Sequence, residues 1–359
     1  MDYKEIKDRL VTEYLKIECS RVNQRVNSLK NPKVDQALQQ FRNSPLAHMR
    51  KAHVDGIRNP QYTDDAIFQA LETMDLDHIF EKANTLYKSQ QEDESKKDSL
   101  DETDFTVVAL LDWFKNDFFK WINKPPCPIC RSEDESRIRM VGSARPTTEE
   151  LSHGAGVVEV FNCDHCNSTI RFPRYNNPTM LLSTKAGRCG EWNNCFLLCL
   201  KALGLRARCV RNVEDHVWSE YYSEHLKRWV HLDSCENAFD KPELYCKGWG
   251  KKMSYCFAFD DTLIEDVSAK YITQGRLPKM LDEGTIRICL YFFNQKALQM
   301  VSENTEAFYS ALVKYHRCLS ANRKENGTKS RNESSTLTSL LPRQSGSASW
   351  TSERGENGL

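Results

Sequence analysis

The sequence has no long apolar run. In 359 residues the longest such stretches, Val107 to Leu111 and Phe196 to Leu200, are about five residues, far below the roughly 18–20 that a membrane-spanning helix needs. It also has no net charge, with 50 Lys plus Arg against 50 Asp plus Glu. That balance removes the usual electrostatic basis for binding nucleic acid or an anionic membrane. Glycine and proline are sparse, at 15 and 12, and hydrophobic residues make up 40%, so a largely disordered or collagen-like chain is excluded. The first ten residues alternate charged with apolar side chains and contain no apolar core of a secretory signal. The expectation is a chain of the cytoplasm, or also of the nucleus, whose 14 cysteines act as thiols, thiolates or metal ligands rather than as a disulfide framework.

What is present falls into parts. At roughly 150 residues per domain the length suggests two or three units. No repeat of fixed period is visible. In the first 30 residues Tyr3, Ile6, Leu10, Tyr14 and Ile17 recur at spacings of three and four, and Val22, Val26 and Leu29 continue the stripe. This reads as one amphipathic helix, which either packs on the chain's own core or enters a partner's groove. A helical stretch from Asp64 to Lys88 leads into the polar run Ser89 to Glu102, and Phe105 to Asn123 reads as a buried helix ended by Pro125-Pro126. The expected division is a helical region 1–104, a mixed α+β core 105–320, and a disordered tail 321–359 poor in apolar residues.

Two C-x-x-C pairs, Cys127/Cys130 and Cys163/Cys166, stand 32 residues apart. Either pair alone reads equally as a redox dithiol or as core cysteines. Two pairs in a reducing compartment read as two knuckles closing a tetrahedral, structural Zn²⁺ site. Arg137 to Val141 and Val157 to Phe161 between them are strand-like, so residues 127–166 read as a zinc ribbon. His165 lies inside a knuckle but is expected to be exposed, because four cysteines already fill the shell.

The segment Gly187-Arg-Cys-Gly-Glu-Trp192 turns into a helix whose Cys195, Phe196, Cys199, Leu200 and Leu203 repeat at three and four. Cys189 is therefore expected at a helix start, where unpaired N–H groups and the dipole favour a thiolate, while Cys195 and Cys199 read as core. Downstream, Asp215 to Tyr222 and Arg228 to Asp233 read as a hairpin. A hairpin symmetric about positions 224 and 225 sets His216 opposite Asp233, Trp218 opposite His231 and Glu220 opposite Trp229. Cys189, His216 and Asp233 then suit the roles of nucleophile, base and orienting carboxylate; the plainer reading of the last two is an ordinary cross-strand pair. Trp218, Trp229 and Glu220 read either as sheet core or as the lining of a groove, and His231 as a second-layer residue.

Gly187-Arg-Cys-Gly-Glu-Trp192, Asp215-His-Val-Trp218, His231-Leu-Asp-Ser-Cys-Glu236 and the paired knuckles occur in this order. Together with Leu111-Asp-Trp-Phe and Gly248-Trp-Gly-Lys-Lys-Met-Ser-Tyr255, they resemble the cytoplasmic peptide:N-glycanases of the transglutaminase-like superfamily, in their short fungal form. The resemblance implies a transglutaminase-like, papain-like cysteine-hydrolase core with a zinc-ribbon insertion and N-terminal helices. It further implies an amidase that removes N-glycans from misfolded glycoproteins exported from the endoplasmic reticulum, leaving Asp. Carried over in the same way, Cys189, His216 and Asp233 catalyse, Glu236 contacts the inner sugars, and Cys127, Cys130, Cys163 and Cys166 hold one zinc. The N-terminal helices would dock on a ubiquitin-receptor shuttle protein of the proteasome. The same three catalytic residues also suit a crosslinking transglutaminase or a cysteine protease.

Overall fold

In the computed structural model, residues 2–93, 99–325 and 340–358 are described. The chain forms two compact units, one made of Met1–Pro60, Met253–Ala269 and Arg276–Ser339, the other of Gln61–Lys252, Lys270–Gly275 and Leu340–Leu359. The boundaries differ from the expected break at 104/105. Residues 64–92 form two helices whose Ala66, Ala70, Ile79 and Ala83 pack in the core of the second unit, and the chain returns after 276 to join its own beginning.

In the first unit the N-terminal helix runs from Tyr3 to Ser28. Its stripe divides in two. Leu15, Val22 and Val26 are buried with Leu298, Phe308, Leu312 and Tyr315, and Arg25 Nε donates to Gln295 Oε1 at 2.9 Å. Tyr3, Leu10 and Ile17 stay exposed at 81%, 66% and 51%. The helix thus packs on the chain's own core through Leu15, Val22 and Val26 and leaves Tyr3, Leu10 and Ile17 in solvent. His53 is buried in the same unit, with Nε2 on the Thr262 carbonyl at 2.8 Å.

The second unit is built around the helix Cys189–Ala202. Cys195, Phe196, Leu198, Cys199 and Leu200 on it are fully buried, and pack with Leu110, Leu111, Phe114, Tyr221 and Leu232. The helix expected over 105–123 runs from Glu102 to Trp113 and continues as a wider π turn to Phe118. It stops there because Lys120 and Ile122 spend their N–H groups on the carbonyls of Lys185 and Gly187, a short parallel pairing that fixes the entry to the Cys189 helix.

The strands Ala207–Asn212, His216–Ser223, Arg228–Asp233 and Ala238–Phe239 pair antiparallel in chain order. The hairpin register differs from the expected one. Ser223 pairs with Arg228, Glu220 with His231 and Ser219 with Leu232, so its centre lies one residue further on. The connection is the four residues 224–227, braced by the Leu226 N–H on Ser223 Oγ at 3.0 Å. Moving the centre by one residue shifts each partner by two, which leaves every side chain on its face. Asp233 is thus diagonal to His216 rather than opposite it. The ribbon is a three-stranded antiparallel sheet of Ile138–Ala144, Ala155–Cys163 and Thr169–Tyr175.

Within the expected disordered tail, residues 326–339 lie outside the described residues, whereas 340–358 are folded. They carry the short helix Ala348–Glu353 and bury Arg343, Thr351 and Glu356. Gly346, at φ +97°, is required here, since a Cβ would stand 2.6 Å from the Trp350 ring. Composition misleads because the segment is held by its few large or charged residues against the second unit, with no apolar stripe of its own.

Candidate functional site

The four knuckle cysteines come together. Their sulfurs lie within 4.8 Å of one another, with Cys127 and Cys166 at 3.5 Å and Cys130 and Cys163 at 3.6 Å. Thiolates around a tetrahedral ion with bonds of about 2.3 Å stand ~3.8 Å apart. No disulfide joins them, and the cluster can hold a metal ion. Ile138, Phe161 and Ile170 form a small core behind it, and His165 is exposed.

From the ribbon a chain of ion pairs runs to the start of the Cys189 helix. Glu159, on the strand that ends at Cys163, receives Arg188 Nη1 and Nη2 at 2.8 and 2.7 Å and Arg174 Nη1 at 2.8 Å. Arg174 also clamps Glu191 at 2.5 and 2.7 Å. Glu191 in turn accepts the Arg188 backbone N–H at 3.0 Å, satisfying a donor that a helix start leaves open. Burial alone would raise the Glu159 carboxyl, but Arg188 and Arg174 hold it below the usual carboxylate value. Gly187 is needed because a Cβ would meet that of Glu191 at 2.4 Å. Gly190, on the other side of Cys189, has open space around it.

His216 and Asp233 are joined, with His216 Nε2 2.9 Å from Asp233 Oδ2. The same oxygen accepts from Tyr245 Oη at 3.0 Å, and Oδ1 accepts the Cys235 N–H at 2.9 Å. Tyr245 links on to His231 Nε2 at 2.7 Å, which makes His231 a second-layer residue. His216 Nδ1 is buried without a hydrogen-bond partner, and Cys189 at the helix start makes no hydrogen bond to it. Burial raises the Cys189 thiol, with Arg343 opposing. Burial pushes His216 well below the usual imidazole value, and Arg343 and Lys251 push it further. Burial therefore works against a charged imidazole at His216 and against the thiolate that the helix start alone would favour at Cys189.

Trp218 is buried and stacks on Tyr245 at 4.3 Å, so it is core. Glu220 is buried with Arg208 and Lys270, which leaves it no role toward a sugar. Arg208 also lies 3.9 Å from the centre of the Trp229 ring. Glu236 accepts the backbone N–H groups of Gln344 and Ser345 at 2.9 and 3.1 Å. A cleft of about 550 Å³ is lined by Trp121, Asn123, Trp192, Cys235, Gln344 and Ser345. Sequence reasoning missed Tyr245 and Arg343. Tyr245 lies on a five-residue π turn, Leu244–Gly248, a feature common at functional sites but without a pattern in sequence.

The description "transglutaminase-like superfamily" belongs to the family model that matches residues 139–234. The chain is 41% identical to the peptide-N(4)-(N-acetyl-beta-glucosaminyl)asparagine amidase of Kluyveromyces lactis, over 83% of this chain and 82% of that one. It is 42% identical to the protein of that name in Saccharomyces cerevisiae, over 80% and 79%, and 36% identical to that of Candida albicans, over 100% and 96%. Among solved structures, Rad4-Rad23 bound to a 6-4 photoproduct UV lesion aligns with a TM-score of 0.42 at 12% identity, covering 77% of this chain and 59% of that chain, a likeness too weak to carry an argument. Relatedness of this degree along most of both chains means that this chain belongs to the peptide-N(4)-(N-acetyl-beta-glucosaminyl)asparagine amidase family, a family of amide hydrolases.

Proposed function

We propose that this chain cleaves the amide linking an N-glycan to asparagine, through Cys189, His216 and Asp233. The observation that carries the reading is the buried His216, with one ring nitrogen fixed by Asp233 at 2.9 Å and the other left without a partner. An ionised Asp233 accepting from Nε2–H selects the tautomer whose Nδ1 is basic. Nδ1 takes the Cys189 thiol proton as the sulfur attacks the asparagine side-chain carbonyl. The tetrahedral intermediate collapses as His216 returns that proton to the departing glycosylamine nitrogen, leaving a thioester. Water, deprotonated by Nδ1, then hydrolyses the thioester to aspartate and regenerates the thiol. The Cys189 backbone N–H is the first candidate to stabilise the oxyanion.

Glu236 is assigned to the inner sugars of the glycan, each carboxylate oxygen keeping a lone pair beyond its bond to the C-terminal segment. The metal held by Cys127, Cys130, Cys163 and Cys166 is assigned as one structural zinc. We assign the substrates as misfolded N-glycoproteins in endoplasmic-reticulum-associated degradation, and the location as the cytoplasm and nucleus. The exposed Tyr3, Leu10 and Ile17 support docking of the first helix on a ubiquitin-receptor shuttle protein. Among the described residues no helix is long and apolar enough to cross a membrane.

The experiment is product analysis of a glycopeptide by mass spectrometry. Release of an intact oligosaccharide with conversion of Asn to Asp is the expected result. Cleavage of a peptide bond, or incorporation of an added amine, would assign the site to a protease or a transglutaminase instead.

A further inference from the structure

The folded C-terminal segment brings a charge to the site that the reaction above does not use. Arg343 has no exposed side-chain surface. Its Nε donates to Ser345 Oγ at 3.1 Å and its Nη1 to Glu356, while Nη2 is buried with no hydrogen-bond partner. The guanidinium sits over three indoles, 4.3 Å from the Trp350 ring centre, 4.6 Å from Trp249 and 5.6 Å from Trp121. Trp249 in turn stands 4.9 Å from the His216 ring. One indole therefore separates Arg343 from the catalytic imidazole.

One buried carboxylate is divided among the cations around it. Glu356 is shared by Arg343, Lys251 and Arg354, and Arg354 also reaches the exposed Asp215 at 2.9 Å. Arg343 therefore has only a share of the one carboxylate it bonds, and its Nη2 has no partner. A buried cation with an unused N–H is costly unless an anion forms nearby. The reaction forms two such anions, the thiolate at Cys189 and the tetrahedral oxyanion.

Resting on Cys189 as the nucleophile, we propose that Arg343 is a positioning residue for the reaction, carried into the site by residues 340–358 as the fixed positive charge that favours the anionic sulfur. The segment fits this role because it buries Arg343 and Glu356, and because its backbone also holds Glu236. Arg343, Asp215, Glu191 and Arg174 act on Cys189 through their charge. His216 is bonded to Asp233, and Arg343, Lys251, Glu356, Arg354 and Asp215 act on it through their charge. Arg343 and Asp215 act on both; Arg343 is the buried one and a cation throughout the working pH range, whereas the Asp215 side chain is exposed.

The test is the rate of Cys189 alkylation by iodoacetamide against pH, read on the Cys189 peptide by mass spectrometry in the full-length protein, with glycopeptide turnover measured in parallel. Arg343→Gln should move the midpoint for alkylation up by about one pH unit, roughly tenfold slower at neutral pH, and Arg343→Lys should recover most of the loss. Glu356→Gln breaks the same ion pair but removes a negative charge, so it should move the midpoint down. A merely structural role would make Arg343→Gln and Glu356→Gln shift the midpoint in the same direction, which would overturn the proposal, as would no shift in either. If Arg343→Gln does not fold, the opposite-signed effect of Glu356→Gln and the retained profile of Arg343→Lys decide it. Deletion of 340–359 should lower turnover; an increase would show a covering strap instead. Glycan release that persists in Cys189→Ala would instead overturn the nucleophile assignment itself.

Discussion

At the scale of single residues, the site depends on which proton sits where. Asp233 accepts from His216, Tyr245 and the Cys235 backbone; burial raises its carboxyl, against the opposing pull of His231, Tyr245, Arg343 and the Cys235 N–H. Asp233→Asn keeps the shape but presents an amide that can satisfy the other imidazole tautomer. It should cut kcat by about 10³–10⁴-fold with the melting temperature little changed; a kcat within a few-fold of the wild type would show that Asp233 only packs. The residues of this group that are local in sequence were readable there: Cys189 announces itself by the turn and helix around it. Tyr245 and Arg343 were not, since their roles exist only where a π turn and a distant segment meet His216.

At the scale of elements, the ribbon and the Cys189 helix are coupled. Cys163 ends the strand that carries Glu159, and Glu159 grips Arg188, the residue before Cys189. Metal binding to four thiolates supplies folding free energy in such sites. Chelation should therefore melt the ribbon, lower the melting temperature and release the Glu159–Arg188 clamp. A chelated protein that melts at the same temperature yet turns over slowly would contradict a structural metal. The knuckles were legible because each is four residues long and the chemistry of two pairs is restrictive. The hairpin was legible in its faces but not in its register, which depended on a four-residue connection braced by Ser223. A period of two forgives that error, and His216 still reaches Asp233.

At the scale of the whole molecule, acid should act through buried histidines as well as carboxylates. Burial lowers His53 to about 4, against the opposing pull of the Thr262 carbonyl, so the folded state prefers it neutral. Its contribution is fully present above about pH 6.5 and is lost as the pH falls from there toward 4, on the order of 3 kcal/mol across that window. His53→Gln, which keeps a donor for Thr262, should flatten the fall of melting temperature between pH 7 and 5; an unchanged slope would remove His53 from the account. The two compact units interleave along the chain, which no break in composition marks. The tail shows the same limit, since Arg343, Trp350 and Glu356 find their partners in one another and in the distant Trp121, Trp249 and Lys251.

The most direct measurement of the central claim compares wild type with Cys189→Ala on one glycopeptide, following oligosaccharide release and the Asn-to-Asp product together while checking that both proteins melt alike. Loss of the nucleophile should take release to background, a fall of at least about 10³-fold. Undiminished release from the Cys189→Ala protein would contradict the account, because no thioester could then have formed.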